Sequence, residues 1–147
     1  MDLNFINKNE EKKPTVKIET AQHFSKTALV IDDSKMNHAF LKNFLEPMGY
    51  KTYFSDNGED GLKQFDFVKP SITFLDIVMP KKSGLKVLKE IKLRDPQAIV
   101  IMVSSFTTKE NIHEAKRSGA DGFIKKPLSI EKIRGMVMRL ENKITHA

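Results

Sequence analysis

The chain has 147 residues, 39% of them hydrophobic and 30% charged, with a net charge of +6 and no cysteine. Such a length and composition fit one globular domain with a sizeable core, and the missing cysteines exclude disulfides, thiolate metal sites and cysteine nucleophiles. No run approaches the roughly 18 apolar residues of a membrane span, and "MDLNFINKNEEKKP" lacks the apolar stretch of a secretory signal, so the chain reads as cytoplasmic.

Residues 1–26 are polar, rich in lysine and glutamate, and show no sustained period. They read as a flexible extension with a short extended piece at Thr15–Ile18. From Thr27 onward, apolar runs alternate with helical periods. The first run, Ala28–Ile31, leads to a helix over Ser34–Glu46, capped by Ser34 and striped by Phe40, Leu41, Phe44 and Leu45. Pro47 and Gly49 close it. The run Thr52–Phe54 precedes a helix over Gly58–Val68, capped by Asp56 or Asn57. Ile72–Leu75 precedes a helix over Gly84–Arg94, lined by Leu85, Val87, Leu88 and Ile91 and ended by Pro96. Ile99–Val103 precedes a helix over Thr108–Ser118, capped by Thr107 or Thr108 and stopped at Gly119. Gly122–Ile124 precedes a helix over Ser129–Asn142, capped by Ser129, with Ile130, Ile133, Val137 and Leu140 on its inner face. Five strand–helix pairs with short loops and near-continuous apolar strands predict an α/β fold, (βα)5, with a parallel sheet covered on both faces.

In such a sheet, ligands gather outside the carboxyl ends of the strands. There the chain places Asp32 and Asp33 after the first strand, Asp76 after the third, Ser104 and Ser105 after the fourth, and Lys125, Lys126 and Pro127 after the fifth. Three carboxylates, a hydroxyl and an ammonium therefore surround one crevice. Buried carboxylates at such an end need a cation to coexist. An oxygen-only donor set without His or Cys selects a hard ion such as Mg²⁺. A carboxylate beside such an ion can attack phosphorus and form an acyl phosphate. The new phosphoryl oxygens then need the metal, a lysine, a hydroxyl and a backbone N–H.

Asp32-Asp33, "LDIVMP" around Asp76, Ser104-Ser105, Phe123 and Lys126-Pro127 resemble the receiver domain of two-component response regulators. The resemblance covers residues ~27 to ~143 of one domain taken as 27–147, with the elements at successive strand ends spaced 43, 28 and 22 residues apart. It implies a flavodoxin-like, doubly wound five-stranded parallel sheet in the order 2-1-3-4-5. Asp76 would be the phosphoacceptor. Asp33 would ligate Mg²⁺ directly and Asp32 largely through water, with Asp76 and the Val78 carbonyl completing the set. Lys126 would pair with phosphoryl oxygens, and its bond to Pro127 would be cis. Ser104 would hydrogen-bond the phosphoryl group and move with it, the Ser105 N–H would add a donor, and Phe123 would be the aromatic switch.

Some positions depart from the family's common pattern. Ser104 stands for a more usual threonine, Phe123 for a frequent tyrosine, and "KKSG" after Pro80 brings basic charge near the site mouth. Val78 and Phe106 put apolar bulk where a hydrolytic water would approach. The resemblance thus implies a stand-alone, chemotaxis-regulator-like acceptor that phosphorylates itself from a donor and dephosphorylates slowly. Its donor would be a histidine kinase or histidine phosphotransfer protein, in chemotaxis, a phosphorelay or another pathway. Its output would be a protein target on the face of helix four, strand five and helix five. No DNA-binding domain is expected after Asn142. Residues 109–147 hold nine Lys and Arg against five acids, a solvated surface or a face for an acidic partner. The four histidines share no metal-like spacing and read as surface. Two other classes stay open. One is a receiver-fold binding module that signals without phosphorylation. The other is an aspartyl-nucleophile phosphohydrolase, which wants a second acid two residues past the nucleophile, where this chain has Ser34 and Lys35.

Overall fold

The computed structural model describes residues 23–146. The expected extension, with its piece at Thr15–Ile18, lies outside the described residues except for its last four. In chain order the elements are β1 (Lys26–Ile31), α1 (Lys35–Leu45), a 3₁₀ turn (Glu46–Met48), β2 (Tyr50–Ser55), α2 (Gly58–Val68), β3 (Ile72–Asp76), α3 (Gly84–Arg94), β4 (Val100–Ser104), α4 (Lys109–Arg117), β5 (Gly122–Lys125) and α5 (Ile130–His146). All strand pairs are parallel and the sheet order is β2-β1-β3-β4-β5.

The two-residue period of a strand explains the two cores. Ala28 and Val30 of β1 face one side, where Leu41 and Leu45 of α1 and Ile133, Val137 and Leu140 of α5 cover them. Leu29 and Ile31 face the other, under Leu62 and Phe65 of α2, Val87, Leu88 and Ile91 of α3, and Ala115 of α4. β3 and β4 are buried at every position, as a central parallel strand with helices on both faces must be. Helix starts follow their caps. The side chains of Ser34, Asn57, Ser83, Thr108 and Ser129 each accept a backbone N–H from the first turn, at 2.9–3.4 Å. Asn57, not Asp56, and Thr108, not Thr107, are the caps. Gly49 and Gly119 take the left-handed φ of +96° and +99° that ends each preceding helical turn.

Four of the differences from the sequence expectation have a visible cause in bonding or packing. β1 begins at Lys26, before the expected boundary, because the Lys26 N–H bonds the Gly49 carbonyl at 3.1 Å. β4 runs one residue later than expected and ends on Ser104, whose carbonyl accepts the Lys126 N–H at 3.0 Å. α5 continues to His146 because Ile144 is a further core contact, 4% exposed. Ile130 is not on the inner face: it is exposed and lines an apolar groove between α1 and α5 with Phe40, Phe44 and Met138, which the two helices do not close.

Candidate functional site

Parallel strands put every carboxyl end at the same edge of the sheet, so residues far apart in sequence meet there. Asp32 follows β1, with its N–H held by the Ser55 carbonyl at 3.0 Å. Asp76 is the last residue of β3, Ser104 the last of β4, and Lys126 follows β5. Asp32, Asp76 and Ser104 are 2%, 5% and 0% exposed. The Lys126 ammonium bridges Asp32 Oδ2 and Asp76 Oδ2, each at 3.1 Å. The Lys126–Pro127 peptide is cis.

Asp32 is further tied to α1. Its Oδ1 accepts the Ser34 N–H at 2.9 Å and its Oδ2 accepts the Asn37 side-chain amide at 3.2 Å. Asp33 is exposed, and no donor reaches its carboxylate among the described residues. Carboxylate oxygens of Asp32, Asp33 and Asp76 lie within 4.8 Å of one another. Three carboxylates against one ammonium leave net negative charge in a partly buried site. With an accessible carboxylate on one side and no nitrogen or sulfur donor in the set, the arrangement fits a hard, hydrated divalent cation.

Burial first, and the charge excess second, set the direction of the Asp76 proton affinity. Burial, then the Asp32 carboxylate, push the Asp76 carboxyl above its ordinary pKa. The Lys126 contact and the Val78 N–H, which donates to Asp76 Oδ1 at 3.4 Å, only partly offset this. For Lys126, burial pulls the ammonium's pKa down, but the hydrogen bond to Asp76 and the two carboxylate charges outweigh it and hold the pKa above the ordinary lysine value.

Of the other expected residues, Ser105, Val78 and Phe106 are exposed and Phe123 is partly buried. Ser104 Oγ accepts the Phe106 N–H at 3.0 Å, and Ser105 is exposed in the same loop. Val78 and Phe106 are about half exposed, at 52% and 55%. Phe123 of β5 is partly buried against the core under α2, α3 and α4, and lines a cavity between α4 and α5 with Ile112 and Arg139. The basic loop is less free than its sequence suggests, because Lys82 is paired with Glu90 at 2.7 Å. Not all the histidines are bare surface. His38 Nε2 bonds the Asp32 carbonyl at 2.5 Å, and its ring stacks on Phe54 with centroids 4.9 Å apart.

Sequence reasoning missed three residues that shape the site. Asn37 and His38 were hidden inside the polar first turn of α1. Gly84 was read only as a helix start, yet a Cβ there would lie 1.9 Å from the Asp76 carbonyl oxygen. Its N–H bonds the Ile77 carbonyl at 2.7 Å, which folds the loop back beneath Asp76. The "MPKKSG" spacing was the available signal for this return.

Comparisons with known proteins agree with this geometry. The profile for the response regulator receiver domain matches residues 28–138. The chemotaxis protein CheY of Listeria monocytogenes is 34% identical over 106 residues, covering 71% of this chain and 89% of that protein. CheY of Thermotoga maritima is 31% identical over 109 residues, covering 74% and 91%. Among solved structures, the CheX-CheY-BeF3-Mg+2 complex from Borrelia burgdorferi contains a chain that superposes with a TM-score of 0.76. Its identity is 28%, covering 80% of this chain and 90% of that one. With this match, the strand order and the acid–lysine cluster at the strand ends, the chain belongs to the response regulator receiver domain family of two-component signalling.

Proposed function

We propose that the chain is a phosphorylation-controlled switch in which Asp76 accepts the phosphoryl group. The observation that carries this reading is the environment of Asp76. It is a buried carboxylate at a strand end, 3.1 Å from the Lys126 ammonium that it shares with Asp32. In the transfer, an Asp76 carboxylate oxygen forms a bond to the phosphorus of a phosphohistidine. The P–N bond breaks with its electron pair returning to the ring nitrogen, and the leaving imidazole keeps the proton on its other nitrogen. Lys126 moves onto the phosphoryl oxygens, where the Ser104 hydroxyl and the Ser105 N–H join it as donors. Asp33, Asp76 and the Val78 carbonyl, with Asp32 beside them, would hold Mg²⁺, which would supply the positive charge that lets an anionic phosphoryl group approach three carboxylates.

Drawing Ser104 toward the phosphoryl group takes its hydroxyl from the Phe106 N–H, so the loop between β4 and α4 rearranges and Phe123 repacks. The acyl phosphate thereby biases a two-state surface made of α4, β5 and α5. The phosphodonor is a histidine kinase or histidine phosphotransfer protein, the output is a protein target on that surface, and the compartment is the cytoplasm.

Incubation of the full chain with Mg²⁺ and a small phosphodonor tests the reading. One stable, acid-resistant and base-labile phosphoryl group per chain is the expected result. Continuous release of phosphate identifies a phosphohydrolase instead, and no label at all identifies a binding module that works without phosphorylation.

A further inference from the structure

The Asp32 carboxylate is the most heavily bonded group at the site. Oδ1 accepts one N–H, from Ser34, while Oδ2 accepts two donors of different character: the charged Lys126 ammonium at 3.1 Å and the neutral Asn37 amide at 3.2 Å. If Asp76 is the acceptor, Lys126 turns its donors toward the phosphoryl oxygens and its hold on Asp32 Oδ2 loosens. A buried carboxylate oxygen that loses its donor incurs the full cost of an unsatisfied charged group. One of the two donors on Oδ2 is free to stay.

We propose that Asn37 is a positioning residue for phosphoryl acceptance: its amide keeps Asp32 Oδ2 satisfied and so releases Lys126 to the phosphoryl group. The inference rests on the reading of Asp76 as the acceptor. The placement of Asn37 is built into α1. Its backbone N–H is capped by Ser34 Oγ at 3.3 Å, which fixes the first turn of α1, and its side-chain amide reaches Asp32 Oδ2 at 3.2 Å. The next residue, His38, anchors the same turn to the Asp32 carbonyl and to Phe54. The chemistry also selects an amide. A lysine or arginine at this position would neutralise the carboxylates that attract a divalent cation, and an aspartate would add a fourth negative charge. An amide donates without changing the charge. Leucine has nearly the same shape and cannot donate, so in Asn37→Leu the turn of Lys126 toward the phosphoryl group leaves Oδ2 with a weakened ion pair alone, and the phosphoryl-bound state is disfavoured relative to the free one.

The test uses the full chain and the Asn37→Leu and Asn37→Ala variants; the second keeps the test available if leucine packs badly. Calorimetric titration measures Mg²⁺ affinity alone, then beryllofluoride affinity at saturating Mg²⁺, with beryllofluoride as the phosphoryl mimic. The expected result is a loss of about tenfold or more in beryllofluoride affinity, the cost of one lost hydrogen bond to a charged group. Mg²⁺ affinity should stay within about threefold of the parent, since the lost donor faces Lys126 and the effect appears only when the lysine moves. A purely structural role would not separate these two affinities. Parent-like beryllofluoride binding in both variants overturns the inference, as does an equal loss of Mg²⁺ affinity. A parent chain that binds Mg²⁺ but neither binds beryllofluoride nor takes label overturns the acceptor reading itself, and the inference with it.

Discussion

Gly84 and Gly135 make opposite predictions for the same substitution. A Cβ on Gly84 would stand 1.9 Å from the Asp76 carbonyl oxygen, 2.7 Å from the Asp76 carbonyl carbon and 2.8 Å from the Ile77 Cα. All three are backbone atoms, so no side chain can rotate away. Reaching even a tight 3.0 Å contact requires the loop to open by about 1 Å, and the 2.7 Å bond from Gly84 N–H to the Ile77 carbonyl goes with it. Overpacking of this kind costs about 1–3 kcal/mol and the lost hydrogen bond about 1 more. Gly84→Ala should therefore lose about 2–4 kcal/mol in urea unfolding. The same opening lengthens the 3.1 Å contact between Lys126 and Asp76 toward about 4 Å, past hydrogen-bond range. Misplacement of that size should slow phosphorylation by about a hundredfold. Gly135 lies inside α5 with nothing within 4 Å of its would-be Cβ, so Gly135→Ala should gain about 0.5–1 kcal/mol and leave phosphorylation unchanged. A Gly84→Ala protein as stable and as readily phosphorylated as the parent would refute the view that this glycine sets the position of Asp76.

Asp33→Ala should abolish measurable Mg²⁺ binding by calorimetry, whereas Asp32→Ala, whose carboxylate is already occupied by three donors, should weaken it by about tenfold; a weaker ion in Asp32→Ala than in Asp33→Ala would reverse the assignment. The raised pKa of Asp76 means that the native state holds its proton more tightly than the unfolded chain does. Its stabilising contribution is full below the unfolded value and is lost as pH rises through the folded one. Without Mg²⁺, Asp76→Asn should accordingly melt higher than the parent at neutral pH and converge with it as pH falls through the folded pKa; identical melts at both ends would contradict this. Lys126, also raised, makes its full contribution below the unfolded lysine value and loses it only as pH rises through the folded one, so it does not alter this window. Phe106→Ala and Val78→Asn should each speed decay of the phosphorylated chain about tenfold or more, because neither native side chain can orient an attacking water. Unchanged decay in both would show that these half-exposed side chains do not gate it.

Helix placement was legible because period and caps carry it, whereas the strand order came only from the family resemblance. α2 and α3 match their expected bounds at both ends, since Asn57 and Ser83 each mark a start with a side chain that bonds the first turn. Asp32, Asp33, Asp76, Ser104 and Lys126 were legible for a different reason. Each stands at or just past the end of a strand, and a parallel sheet converts that local position into spatial proximity. What stayed hidden depends on partners distant in sequence. Asp121 looked like part of a helix-ending turn. It instead joins Lys92 at 3.2 Å, Lys143 at 3.1 Å and the Val100 N–H at 2.9 Å, fastening α3, α5 and β4 together at the start of β5. No local pattern announces contacts 21 to 29 residues away. Asn37 was hidden differently. A polar residue in the first turn of a helix is unremarkable until the carboxylate above it is seen to need a donor. Lys82 shows the converse, a lysine counted toward the site by its place in sequence whose charge is paired with Glu90.

The central claim is that Asp76 alone takes the phosphoryl group, and peptide mapping of the phosphorylated chain tests it most directly. After incubation with a small phosphodonor and Mg²⁺, the acyl phosphate is trapped by borohydride reduction and located by mass spectrometry. The predicted result is one modified residue, Asp76, in the parent, with none in Asp76→Asn. A full modification on Asp32 or Asp33, or undiminished labelling of Asp76→Asn, would contradict the account.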